Sequence, residues 1–553
     1  MGVLEMTTAV PRRRARLGAV LLERSGPSAL ELVLVGMLLL GLGAVVFGPH
    51  VRDGGFYSDD WAAAAEYQAG AGEGVVEALA GATNPTLLAF RPLLALVLPL
   101  PHALFGLDPR GHLALAIVLG VLASLCLYVL LRTVSIERLH AGAIAALVLV
   151  FPWSDATRLW PTASANNLAL CLYLLGAVVA LHGLRHAGRR GRALHAGALC
   201  LYVLSVLTYE VAALAILAGG LPLYALCSTW SRALWRWPWD VVAVGAALAL
   251  VALNTPRELR APGELLARAW MFADEGLALL AAAALPFGSL PRLAVLAAMA
   301  VVIGASAALA RTLAPGDPER AALRRWLCVA LAGALAIVLG YAMFVPGEDH
   351  YSPLKDGLSN RINLLAAIGH VTLVYAVAVL GALLVARTWG GVPGRTAALA
   401  LPAIAAGALA LGYASEVRVH MAGYFRTTDY QDRLIALIRA EVRAPSEATI
   451  YTFGQRVYTA PGLASFRHWD LKGAVRVALA DPTLDAYPIY PGVEWACGAS
   501  SMHPRSRFYS AEQSLSAYGK GVWVDLASGR AVLVRSRAQC LALQASFRPG
   551  VWS

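Results

Sequence analysis

The chain has 553 residues, of which 58% are hydrophobic and 14% charged. A soluble globular protein holds about 45–50% apolar and about 25% charged residues. The shift excludes a disordered chain, a collagen-like fibre and an ordinary soluble enzyme, and it points to many membrane-spanning helices. The formal charge of +11 does not argue for nucleic acid, because the basic residues are mostly spread over short loops between apolar runs; Lys occurs only at Lys355, Lys472 and Lys520.

A bilayer core about 30 Å thick needs roughly 20 apolar residues in a helix. Runs of about that length lie near 30–48, 110–132, 139–153, 166–185, 194–209, 211–228, 239–254, 292–313, 326–345, 361–387 and 395–413, with 194–228 readable as a tight hairpin. The first run is longer than the apolar core of a signal peptide and is expected to be an uncleaved span. Orientation follows Arg and Lys in short loops. Arg12, Arg13, Arg14, Arg16 and Arg24, then Arg185, Arg189, Arg190 and Arg192, then Arg232 and Arg236, then Arg311, Arg320, Arg324 and Arg325, then Arg387 and Arg395 all fall on one side if these runs alternate. That side is the cytoplasm. The loops 49–109, 154–165, 255–291 and 346–360 then face outward.

Two apolar stretches do not fit as full spans: 86–107, broken by Pro92, Pro101 and His102, and 275–288, broken by Pro286. Both are read as helices at the outer interface or as re-entrant segments. Counting both as spans keeps the termini in place. The expectation is an α-helical polytopic membrane protein of about eleven spans, thirteen being the rival number. A basic cytoplasmic N-terminus (1–29) leads into a multi-span domain (30–413), and an extracytoplasmic α/β tail (414–553) follows.

In the tail, 424–443 reads as an amphipathic helix with Leu434, Ile435, Leu437 and Ile438 on its apolar side. A strand is expected at 448–453, a helix at 470–480, and a hairpin at 521–535 around Ala-Ser-Gly-Arg. No GxSxG-type nucleophile motif is present. Cys126, Cys171, Cys200, Cys227 and Cys328 lie in apolar runs as small hydrophobes. Cys497 and Cys540 lie in the tail; spacing leaves both a disulfide and two free thiols open.

Several polar residues stand out against this background. Asp59 and Asp60 follow Phe56-Tyr57-Ser58 just after the first span. They are readable as a helix start capped by Ser58 or Asp59, or as a general base and metal ligand. Asp155 and Arg158 sit between Trp153 and Trp160, which suit an interfacial aromatic belt. The two charged residues either pair at a helix end or meet substrate. Glu210 lies between apolar runs and is costly at a membrane centre, so it belongs at a turn facing water or in a polar cavity. The loop 346–360 and its edge hold Glu348, Asp349, His350, Lys355 and Arg361. These are either a solvated connector with Arg361 snorkelling, or a cation for a phosphate with a weak metal signal beside it. Arg91 opens the first interfacial stretch as an anchor or as a contact for a lipid phosphate.

The order of these elements resembles the GT-C superfamily of integral-membrane glycosyltransferases that use polyprenyl-phosphate-linked sugars. The acidic pair Asp59-Asp60 is followed by FRPLLALVLPLPHALFGLDPRGHLALAIVLG at 90–120. That passage is similar to one in many bacterial members and in the protein O-mannosyltransferase-like branch. FPWSDATRLW at 151–160, LTYEVAALAIL at 207–217 and NRINLL at 360–365 then occupy the places of the acidic-Trp, Ser-Lys-Glu and late Arg motifs. The similarity covers roughly 30–230 and, more loosely, 345–415. Tyr209 stands where Lys is common, Asp155 is a shorter acid displaced by one position, and the tail resembles no named module.

The resemblance implies transfer of a sugar from a polyprenyl-phosphate donor to a hydroxyl of a glycan, lipid or protein on the outer face, with inversion. Asp59 or Asp60 would accept the hydroxyl proton. Arg361, then Arg91, would hold the leaving phosphate. Asp155, Arg158, Glu210 and His350 would contact substrate, and Asp60 and Asp155 would carry a divalent metal if one is used. A transporter and a non-catalytic membrane assembly protein are the rival classes.

Overall fold

The computed structural model describes residues 26–70, 80, 83, 85–255, 260–288, 290–491, 493–505 and 514–546. The arginines at 12–24 lie outside the described residues. Among the described residues, nine helices are long and apolar enough to cross a membrane, or ten if the bent pair Glu210–Leu217 and Gly220–Cys227 forms one span. The chain is a multi-pass membrane protein with a small strand-containing domain at its C-terminal end.

The spans begin with α1 (Ala29–Asp53). Three short helices, α3 (Pro85–Phe90), α4 (Pro92–Val97) and α5 (Leu100–Phe105), follow the helix α2 (Asp59–Gly70). They break at Arg91-Pro92 and at Pro99, because proline supplies no backbone N–H. Next come α6 (Pro109–Thr133), α7 (Arg138–Leu149), α8 (Ala165–Arg185), α9 (Gly188–Thr208), α10 (Trp230–Asn254), α11 (Pro262–Ala284), α12 (Arg292–Thr312), α13 (Pro318–Ala342), α14 (Leu364–Trp389) and α15 (Gly391–Glu441).

The span count is lower than the apolar runs suggest, for two physical reasons. The run at 139–153 holds a helix of only 12 residues, about 18 Å at 1.5 Å per residue, before Pro152 turns the chain. The run at 211–228 bends by 51° at Ala218-Gly219. The stretch at 275–288 is also not a separate segment. It is the end of α11, which has 23 residues and stops before Pro286. Arg268, Asp274 and Glu275 leave α11 too polar to count as a span.

The basic loops gather at one end of the bundle. Arg132 and Arg138 pair with Glu31, Arg325 with Glu137, Arg387 with Glu319, and Arg232 donates to the Leu184 carbonyl. The segments 54–60, 91–108, 151–164, 209–212 and 344–363 lie at the other end, beneath the tail.

The final span does not stop where polarity rises at residue 413. α15 runs unbroken for 51 residues, and its last turns bury Leu434, Ile435 and Ile438 against the tail's sheet. That sheet has the order β4-β1-β8-β9, formed by β1 (Thr449–Phe453), β4 (Asp485–Ile489), β8 (Gly521–Asp525) and β9 (Arg530–Val534). β1 is parallel to both β4 and β8, and β9 is antiparallel to β8. The helix α16 (His468–Leu479) crosses from β1 to β4. The small hairpin β2 (Tyr458–Ala460) and β3 (Leu463–Ala464) follows β1. A three-stranded sheet of β5 (Glu494–Cys497), β6 (Ser501–Arg505) and β7 (Ser516–Ala517) carries one half of the Cys497–Cys540 disulfide, which is formed.

Candidate active site

Two adjacent acids begin α2, and the fold gives them opposite environments. Ser58 takes a left-handed backbone, φ 49°, and turns the chain so that Asp60 points inward. One Asp60 oxygen accepts from the Tyr57 amide at 2.9 Å. The other accepts from the Thr162 amide at 2.9 Å and from the Thr162 hydroxyl. Burial raises the Asp60 pKa to about 7 against the pull of these donors. Asp60 therefore ties the start of α2 to the loop after Trp160, and it does not line the cavity described next. Asp59 faces outward, and its Oδ1 accepts from the indole Nε1 of Trp469 in α16 at 3.0 Å.

Asp59 stands at the edge of a cavity of about 500 Å³. Its polar wall is Asp59, Glu66, Arg91, Asn166, Tyr209, Tyr351 and Arg361. An apolar wall is supplied by α3 and by α4 with its C-terminal cap, through Leu87, Phe90, Leu94 and Leu98. Arg91 occupies the break between α3 and α4. It grips Glu210 with two hydrogen bonds, Nε to Oε2 at 3.1 Å and Nη2 to Oε1 at 2.8 Å, and lies 4.1 Å from the centre of the Tyr209 ring. Burial works against the Arg91 charge, but the Glu210 carboxylate outweighs it and raises the guanidinium's pKa.

Arg361 comes from a 3-10 turn, Gly357–Asn363, that leads into α14. Its Nη1 donates to the Leu358 carbonyl at 2.9 Å, and its Cζ lies 5.0 Å from the Trp160 ring and 5.7 Å from the Tyr351 ring. Two aromatic faces favour the cation. Among the described residues it forms no ion pair with a carboxylate.

The remaining sequence candidates lie elsewhere. Asp155 is fully buried and does not pair with Arg158. It accepts from Asn360 Nδ2 at 2.8 Å and from His420 Nδ1 at 2.8 Å, which ties the 151–161 loop to the turn holding Arg361 and to α15. Arg158 is also buried, donating to the Phe151 carbonyl at 2.8 Å and to Ser154 Oγ at 3.2 Å. Burial lowers its pKa to about 10. His350 is exposed and packs on the Tyr351 ring at 4.3 Å without lining the cavity. Trp160 is not a belt residue: it is buried in the cavity wall.

The residues proposed for a divalent ion do not fit one. The oxygens of Asp60 and Asp155 are engaged by N–H and O–H donors, and Asp349 is drawn to Arg260 at 2.8 Å. Among the described residues no group of three or more His, Cys, Asp or Glu could hold a metal.

Tyr351 and Trp469 had no signal in the sequence, being single aromatics in polar segments. Asn166 and Glu66 look like ordinary helix-surface residues, and only the fold turns them to the cavity.

The sequence matches no family model and no curated protein. Among solved structures, the chain is similar to ArnT from Cupriavidus metallidurans bound to undecaprenyl phosphate. That match has 13% identity over 81% of this chain and 85% of the other, with a TM-score of 0.41. It is also similar to ArnT from the same organism in the apo state, at 15% identity over 82% and 84% with a TM-score of 0.36.

Proposed function

We propose that this protein is a membrane glycosyltransferase that moves a sugar from a polyprenyl-phosphate donor to a hydroxyl of a glycan, lipid or protein on the outer face of the membrane. The observation that carries the reading is that Asp59 and Arg361, 302 positions apart by their numbers, line one cavity whose other wall is apolar. Such a cavity suits a ligand with an anionic head and a hydrocarbon tail. The motif order in the sequence supports the same chemistry. The basic end of the bundle, opposite the cavity, supports an outward-facing site.

In this reading the donor's phosphate meets Arg361, and the Arg91–Glu210 pair adds a cation whose charge is already half spent on its partner. The hydrocarbon tail runs along Leu87, Phe90, Leu94 and Leu98. Asp59 accepts the proton of the acceptor hydroxyl as that oxygen attacks the anomeric carbon. The anomeric C–O bond breaks with its electron pair going to the phosphate oxygen, and the guanidinium stabilises the charge that develops there. Attack from the side opposite the phosphate inverts the anomeric centre. No step is routed through a metal, because Asp60 and Asp155, the acids offered for one, hold N–H and O–H donors instead.

The test is release of undecaprenyl phosphate from undecaprenyl-phosphoryl sugars, hexose and pentose, by the purified protein in lipid nanodiscs, with water taking the place of the acceptor hydroxyl and free sugar measured as the second product. Asp59→Asn is expected to lose at least a hundredfold in rate, within the range assigned to a general base. A wild-type rate in D59N would overturn the reading.

A further inference from the structure

The tail domain touches both poles of the cavity. At one pole, Trp469 Nε1 donates to Asp59 Oδ1 at 3.0 Å across 410 positions. At the other, the Leu358 amide, three residues before Arg361, donates to the Gly462 carbonyl of the β2–β3 hairpin at 3.4 Å.

The first contact is held by a close backbone approach. Gly473 of α16 sits so near α2 that a Cβ there would lie 2.3 Å from the Trp61 carbonyl oxygen. Only glycine permits that distance. The same junction is clasped through Gln431 of α15, whose Oε1 accepts from Trp61 Nε1 at 3.3 Å and whose Nε2 donates to the Ser465 carbonyl at 2.7 Å. The indole is thus placed by rigid elements. It also lines the cavity itself, with 38% of its surface exposed at the mouth. Asp59 Oδ2 has no hydrogen-bond partner among the described residues.

We propose that Trp469 is a positioning residue. Its indole N–H holds one oxygen of the Asp59 carboxylate and presents the other to the incoming hydroxyl. The inference rests on the reading of Asp59 as the base. The N–H fixes the direction of the carboxylate, so the second oxygen meets the hydroxyl without a search over rotamers. The tail domain is then part of the reaction centre and not a separate binding module.

The test uses the full chain in nanodiscs and follows undecaprenyl phosphate release from undecaprenyl-phosphoryl sugar as a function of donor concentration. Trp469→Phe keeps the ring and removes the donor. It is expected to lower kcat about tenfold, the value of one hydrogen bond to a charged group, and to leave KM for the lipid donor within about twofold. Trp469→His returns a ring N–H and is expected to recover part of the loss in kcat. Unchanged kcat in W469F, with D59N inactive, overturns this inference and leaves the base assignment standing. An active D59N removes both. Should W469F fold poorly, indole N–H resonances of the 15N-labelled wild-type protein give an independent answer. The Trp469 signal is expected to move in D59N, and a signal indifferent to D59N overturns the proposal.

Discussion

Arg91 and Glu210 meet across 119 positions in a clasp of two hydrogen bonds, 3.1 and 2.8 Å long. The pair joins the break between two short helices to the turn after α9, and Tyr209 beside it gives the guanidinium an aromatic face. Glu210 thus avoids the cost of a lone carboxylate among apolar helices while leaving a cation at the cavity wall.

Removing one partner of this clasp strands the other. Breaking a buried pair costs about 3–5 kcal/mol. With 21% and 11% of the two side chains exposed, solvent screening reduces that to about 2–3 kcal/mol. Arg91→Gln and Glu210→Gln are each expected to lower the thermal unfolding midpoint in detergent. The double variant should lose clearly less than the sum of the two. Simple additivity would contradict the clasp.

Asp155 acts through its neighbours. It holds Asn360, the residue before Arg361, and His420 of α15. Asp155→Ala removes the acceptor of the buried Asn360 amide and of the part-buried His420 ring, at about 1–3 kcal/mol for a buried donor left unsatisfied. It is expected to lower stability and to weaken polyprenyl-phosphate binding together, measured by thermal unfolding and by lipid titration. Loss of activity with unchanged stability and binding would instead make Asp155 a direct participant.

Asp60 gives a pH signature. Burial lifts its pKa in the fold to about 7, above the value of about 3.9 in an unfolded chain. Between these values the folded state binds the extra proton. Its contribution is therefore fully present below about pH 4 and is lost as the pH rises through about 7. The unfolding midpoint should fall as pH is raised from 5 to 8, and Asp60→Asn should flatten that slope. An identical slope in D60N would remove Asp60 as its source.

The Cys497–Cys540 bond closes a loop with a separation of 43 residues, and a crosslink of that span stabilises by about 4 kcal/mol in the chain-entropy model. Replacing both cysteines with alanine is expected to lower the unfolding midpoint of the tail, followed by near-ultraviolet circular dichroism. A midpoint unchanged within a degree would show that the bridge adds nothing to the tail.

Much of this architecture is visible in the sequence, and the failures have physical causes. Apolar runs separated by arginines locate most spans because backbone groups in a bilayer must be satisfied within helices. The same runs do not reveal that 139–153 turns after 12 helical residues or that 211–228 bends, since hydropathy carries no information on helix length or angle. The polarity change at residue 413 looks like a domain boundary. Helix periodicity continues through it, and α15 simply moves from apolar to α/β surroundings. For the site, Asp59, Arg91 and Arg361 are readable as charges near the membrane edge, and the order of motifs suggests that they meet. Asp155 carries the same signal, yet it faces inward to Asn360 and His420, because direction depends on a backbone turn that residue type does not encode. Trp469 is beyond sequence reasoning, since its role depends on Gly473 admitting α16 against Trp61.

The account stands or falls on Arg361 holding the lipid phosphate while Asp59, in the same cavity, serves the acceptor hydroxyl and not the phosphate. The direct measurement is the affinity of undecaprenyl phosphate for the wild-type protein and two variants in nanodiscs, at low salt. Arg361→Gln is expected to weaken binding about ten- to hundredfold, the value of charge-assisted hydrogen bonds to phosphate. D59N, which removes a nearby negative charge, is expected to bind as tightly as wild type or tighter. Wild-type affinity in R361Q, or a loss in D59N equal to that in R361Q, would contradict the account.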